Sequence, residues 1–187
     1  MIGTQKDTQK QKVYKWERLL AKHYNVEMWL PKMNLKECEQ FSNKIWNKYK
    51  NKFSFSFNDR YDYCSKIKIK KVSGNTCSMR NGFYSMGKKQ TKDGKNRWYK
   101  KMHLCIYGQN KYVLIHEISH ALAPINSMHD KYFVGIYMFL MAEYLNYDLK
   151  YMIEQANLKG IDFTFKYRGQ FKGYVLPLER LVKKHLK

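Results

Sequence analysis

The chain has 187 residues with 36 Lys+Arg against 15 Asp+Glu, a formal charge of +21, and 44% hydrophobic and 16% aromatic positions. That is enough apolar material for one folded domain of ordinary size, and too many aromatics for a disordered polycation. The longest apolar run, Tyr132–Ala142, falls well short of the roughly 18 residues that a membrane span needs.

Residues 1–12 lack periodicity and read as a flexible tail. The helix predicted next carries Val13, Trp16, Leu19 and Leu20, and Pro31 interrupts the chain after it. Asn34 with Glu37 has the form of a capping box, and Leu35, Cys38, Phe41, Ile45, Trp46 and Tyr49 recur at helical spacing. Phe53, Phe55 and Phe57 alternate with serines, and Ile67 and Ile69 alternate with Lys66, Lys68 and Lys70, which predicts an antiparallel sheet with a lysine-bearing outer face. Gly74, Gly82, Gly87 and Gly94 divide residues 76–100 into short strands and turns, and Met102, Leu104 and Ile106 predict a further strand that stops at Gly108.

The period then changes. Residues 112–123 read as a helix ended by Pro124, residues 130–146 as a largely apolar helix, and Asp148 as the cap of a third that runs to Leu158 and stops at Gly160. Phe163, Phe165 and Tyr167 alternate again, and a short basic helix is expected after Pro177. The whole reads as one α+β domain over 13–160 with a basic extension, 161–187, packed on it.

Charge is unevenly spread. Residues 61–110 hold 12 basic and 2 acidic side chains, whereas 111–160 hold 4 and 5. The near-neutral middle is also the most apolar part, so the core belongs there and the basic surface on the elements around it. Cys38, Cys64, Cys77 and Cys105 stand far apart without a CxxC pair, and no apolar stretch of signal-peptide type follows the N-terminus. A reducing, cytoplasmic compartment is the expectation, not secretion and not a membrane.

Chemistry concentrates in residues 111–133, KYVLIHEISHALAPINSMHDKYF. His116, Glu117 and His120 form an HExxH motif, which on a helix puts two imidazoles one turn apart on one face with a carboxylate beside them. Zinc suits such a pair, takes neutral imidazole nitrogen, and in a catalytic site needs a third protein ligand. His129, nine residues after His120 and beyond Pro124, is placed where a returning chain can supply it.

The strings HEISHALAP and MHDKYF resemble the SprT-like and WLM-type metallopeptidases, most of all the small phage and bacterial SprT-like members. The match covers about residues 100–146. The resemblance implies a minimal zincin-like fold in which a small antiparallel sheet packs on the HExxH helix. It implies Zn2+ held by His116, His120 and His129, Glu117 as the base that takes a proton from water, and Phe133 packing under the site. Asp130 stands where many SprT-like chains have Gly and WLM-type chains have Asp, while the step from His120 to His129 exceeds the usual WLM spacing. No paired-Cys zinc ribbon follows the motif.

Peptide hydrolysis by this route needs an oxyanion donor, for which His103, Tyr132 and Tyr137 are the candidates, and a carboxylate partner for a ligating histidine, for which Asp130 and Glu143 are nearest in sequence. Asp130 equally suits the start of the helix that follows it. Lys66, Lys68, Lys70, Lys88, Lys89, Arg97 and Lys100, interleaved with aromatics, form a candidate nucleic-acid surface. Lysine nonetheless far outnumbers arginine, as an A+T-rich genome would produce without selection for binding.

The expected function is a zinc peptidase acting on protein or peptide substrates, including proteins bound to nucleic acid, in a host cytoplasm or virion if phage-encoded. The alternative is a noncatalytic nucleic-acid- or virion-associated protein that keeps the fold and the metal. Hydrolysis of a non-peptide amide by the same chemistry is a third reading.

Overall fold

The structure is a computed structural model that describes residues 7–27, 32–50, 66–71, 82–90, 96–123, 127–166 and 178–186. Helix α1, Lys10–His23, turns Val13, Trp16 and Leu20 into the core, and the Trp16 indole donates to the Met152 carbonyl at 3.3 Å. Lys10–Lys12 therefore belong to a helix and Gln9 is buried, so the expected tail of 1–12 is corrected from Asp7 onward. In α2, Leu35–Tyr49, the capping box forms: the Asn34 N–H donates to Glu37 Oε2 at 2.7 Å and the Glu37 N–H to Asn34 Oδ1 at 3.0 Å.

Strands β1, Ile67–Lys71, β2, Gly82–Gln90, and β3, Asn96–Leu104, make a sheet in the order β1-β3-β2. The Asn43 side chain of α2 fixes where the sheet begins, bonding both the N–H and the carbonyl of Ile67 at 2.9 and 3.0 Å. Ile67, Met102 and Leu104 are buried while Lys68 and Lys70 are exposed, as the alternation requires, and Lys71 at the end of β1 is exposed as well. The expected antiparallel sheet is corrected to a mixed one: β2 and β3 are antiparallel, but β1 runs parallel to β3. Period-2 alternation reports which face is buried and carries nothing about the direction of the neighbouring strand. The strand expected at Phe53–Phe57 lies outside the described residues, and the last strand ends at Leu104, with Ile106–Gly108 forming a 3-10 turn.

Helix α3, Lys111–Leu122, starts at Asn110, whose side chain accepts from the Val113 N–H at 2.9 Å. It ends at Ala123, which is extended, as a residue before proline must be (φ −72°, ψ 162°). Helix α4, Lys131–Leu145, is buried from Phe133 to Ala142, which accounts for its unbroken apolar sequence. Asp148 caps α5, Leu149–Leu158, and Gly160 takes the left-handed conformation (φ +59°) that ends a helix.

Residues 161–166 lie along α4 without forming the strand expected at Phe163–Phe165. The alternation there comes from Ile161, Phe163 and Phe165 packing against the core, while the Thr164 N–H donates to the Lys131 carbonyl at 3.1 Å. Gly135 makes this approach possible, because a Cβ at that position would overlap the Thr164 carbonyl. Gly135→Ala is accordingly expected to lower the unfolding free energy by about 1–3 kcal/mol. Denaturant unfolding checks this, and an unchanged midpoint would contradict the packing described.

Helix α6, Leu178–Val182, buries Leu178 and Val182, and the turn after it ties down on α4, where Lys184 and His185 bond Glu143. Burial alone would raise the Glu143 carboxyl, but hydrogen bonds and charge from Lys184 and Lys48 outweigh it and hold the pKa at about 2. Glu143 is thus a fastener of the C-terminal extension and not a partner of His116, His120 or His129, correcting that expectation.

Candidate metal centre

His116 and His120 stand one turn apart on α3, and their Nε2 atoms are 3.2 Å from each other. His129 comes from the segment just before α4, and one ligand atom from each of the three histidines lies within 4.8 Å of the others. Two nitrogens bound to one tetrahedral metal at about 2.0–2.1 Å would be separated by about 3.3 Å, so the α3 pair is already at ligand spacing. Phe133 lies under the group, with ring centroids 4.2 Å from His120, 5.0 Å from His129 and 5.1 Å from His116.

In two of the three rings, His116 and His129, the nitrogen that faces away from the other histidines is held by a carboxylate. Glu17 Oε1 of α1 is 2.5 Å from His116 Nδ1, and Asp7 Oδ2 is 2.7 Å from His129 Nδ1. Each leaves Nε2 as the atom available to a metal, and His129 Nε2 is buried with no hydrogen-bond partner among the described residues. A carboxylate on the far nitrogen fixes the tautomer and ring direction and raises ligand basicity. Gln9 locks the arrangement further, donating to the His129 carbonyl at 2.6 Å and exchanging hydrogen bonds with Asp162 at 3.1 and 2.9 Å.

The electrostatics follow from this geometry. Burial pushes the His120 pKa well below the ordinary value, with His116, His129 and Lys10 adding to the effect, and burial together with His116 lowers His129 against the pull of Asp7. Burial would lower His116 as well, but the charge and hydrogen bond of Glu17, helped by Glu117, raise it. Two imidazoles are therefore kept neutral, as ligands must be, and the third is paired with an anion that would offset the charge of a metal as it offsets that of a proton.

Asp7→Asn and Glu17→Gln are each expected to weaken the affinity for a divalent metal about 10–100-fold. Competition with a chromophoric chelator measures this, and wild-type affinity in both variants would show that the carboxylates do not orient the ligands. Sequence reasoning missed both residues. Asp7 fell in the supposed tail, but Glu17 offered a signal, being a charged residue among Val13, Trp16 and Leu20 on the buried stripe of α1.

The other candidates are placed differently. Asp130 is the N-cap of α4, accepting from the Tyr132 and Phe133 N–H groups at 2.9 and 3.0 Å and from Ser127 Oγ at 2.7 Å, so of its two expected roles it takes the one at the helix start and not the one beside a histidine. Glu117 is buried on α3 directly after His116. Tyr132 is half-buried in the first turn of α4 with Lys131 across its ring, and Tyr137 is fully buried with its ring 5.4 Å from His116. His103 lies on β3 beside Lys70 and Phe83, where burial, then Lys70 and Lys101, lower its pKa.

The register divides the basic stripe. Lys68 is opposite Lys101, Lys70 opposite His103 and Lys89 opposite Arg97, which places these residues on one face of the sheet, with Lys66 exposed at its edge. Lys88, opposite Trp98, and Lys100, opposite Ile67, fall at positions of the other face, the one that carries Met102.

The chain matches no protein-family model, no curated protein and no solved structure.

Proposed function

We propose that the protein is a zinc-dependent peptidase with a zincin-like site of the SprT-like kind. The observation that carries this reading is the convergence of three imidazoles from two elements, two of them backed by carboxylates, with Glu117 adjacent in sequence to one of the three. A purely nitrogen donor set with three protein ligands suits zinc and leaves a fourth position open. Bound there, zinc would supply a Lewis acid for the scissile carbonyl and make water acidic enough to attack near neutral pH.

The protein's own groups would do the rest. Glu117 takes the proton from the attacking water and returns it to the leaving amine, which requires a carboxylate within one hydrogen bond of that water. Asp7 and Glu17 hold the His129 and His116 rings in direction, and Phe133 closes the floor against bulk water. The reading is tested by incubating zinc-loaded protein with unfolded casein and identifying the fragments by mass spectrometry. Cleavage should stop with 1,10-phenanthroline and return with added zinc, whereas chelator-resistant cleavage would reject a metallopeptidase.

A second reading has its own observation. None of β1, β2 and β3 contains an acidic residue, and one face of their sheet gathers Lys68, Lys70, Lys89, Arg97 and Lys101. Such a face suits the phosphates of a nucleic acid, either as the working surface of a noncatalytic protein or to bring the peptidase to nucleic-acid-bound proteins.

A further inference from the structure

The apolar anchor of α1 begins at Val13, and residues 7–12 before it are all polar, with Gln9 alone of the six buried. Polar bonds to two places hold this segment. Asp7 Oδ2 is 2.7 Å from His129 Nδ1, and the Gln9 amide donates to the His129 carbonyl at 2.6 Å. Gln9 also donates to the Asp162 carbonyl at 3.1 Å and accepts from the Asp162 N–H at 2.9 Å, while Lys12 Nζ donates to the Gly160 carbonyl at 2.9 Å. Residues 7–12 therefore tie the chain that delivers His129 to the turn that follows α5.

Such a tie can open without disturbing the core. Val13, Trp16 and Leu20 keep the rest of α1 in place, and release of residues 7–12 exchanges polar bonds for bonds to water. The bond from His129 to Asp7 depends on what His129 holds. A dication on Nε2 draws charge from the imidazole and makes Nδ1–H a stronger donor, so its bond to the carboxylate strengthens. The Asp7 side chain is only 14% exposed, which keeps this gain from being screened by water. A metal thus binds the docked arrangement better than the released one, and that difference shifts the population between them.

We infer that residues 7–12 are a metal-dependent clasp, closing on His129 and on residues 160–162 when zinc occupies the three-histidine centre and opening when zinc is removed. The inference goes beyond the peptidase reading: it rests on the metal centre and on no step of hydrolysis. Coupling of this kind is reciprocal, so a change that loosens the clasp weakens zinc binding by the same factor.

Hydrogen exchange read by mass spectrometry compares zinc-loaded with EDTA-treated wild type. The Val13 N–H, which donates to the Gln9 carbonyl at 3.0 Å, and the Asp162 N–H report on the clasp, and the Met152 N–H, bonded to the Asp148 carbonyl at the start of α5, serves as the control. Zinc should slow exchange in peptides covering residues 7–16 and 159–166 about tenfold more than in the peptide over α5. Gln9→Ala leaves Asp7 and the His129 ring in place, and titration calorimetry should show zinc binding about tenfold weaker in this variant. Equal slowing in all three peptides, or slowing in none, would overturn the clasp while leaving the metal centre standing, and so would wild-type zinc affinity in Gln9→Ala. The exchange comparison uses wild type alone and decides the matter if the variant does not fold. A wild type that takes up no zinc would remove the metal centre and the clasp together.

Discussion

Glu117→Gln is expected to keep a full complement of zinc and to lose hydrolysis by about a thousandfold or more, in line with removal of a positioned general base. The amide has nearly the shape of the carboxylate, so the buried site on α3 is not repacked. None of the three converging nitrogens belongs to Glu117, and the anionic partner of His116 is Glu17, 2.5 Å away on another helix. Metal retention and loss of turnover should therefore separate in this variant. Initial rates on casein alongside metal content measure both, and full hydrolysis by Glu117→Gln would reject Glu117 as the base.

His120→Ala is expected to lose both metal and activity, and its effect on stability should depend on zinc. The imidazole supplies a nitrogen 3.2 Å from His116 Nε2 and stacks on Phe133 with centroids 4.2 Å apart. A ligand that binds only the folded state stabilises it by about 2.7 kcal/mol at a hundredfold excess over Kd, and the variant forfeits this contribution. With metal chelated, the gap between wild type and variant should shrink to the packing loss over Phe133. Thermal unfolding with and without a chelator makes the comparison. An equal rise in melting temperature on adding zinc to both proteins would show that His120 is not a ligand.

Local signals carried the helices. The Asn34–Glu37 box, the extended Ala123 before Pro124, the Asp148 cap and the left-handed Gly160 are all decided within a few residues, and each is formed as its sequence predicts. His116 and His120 were legible for the same reason, since helical periodicity alone puts them on one face. What pattern does not encode is long-range geometry. The parallel pairing of β1 with β3 depends on the path between strands, and the alternation at Phe163 and Phe165 reflects packing on α4 where a ladder was expected. The same limit hid the supports of the site: Asp7 reaches His129 across 122 residues and Glu17 reaches His116 across 99. Sequence spacing pointed to the nearest acids, Asp130 and Glu143, yet one caps a helix and the other pins the C-terminal extension.

The account depends on His116, His120 and His129 forming one metal centre. Metal content by mass spectrometry, on protein purified without added metal, tests this most directly when wild type is compared with His129→Ala. About one zinc per wild-type chain, sharply reduced in the variant, is the expected result. A wild type without metal after reconstitution, or a His129→Ala variant that keeps its zinc, would contradict it.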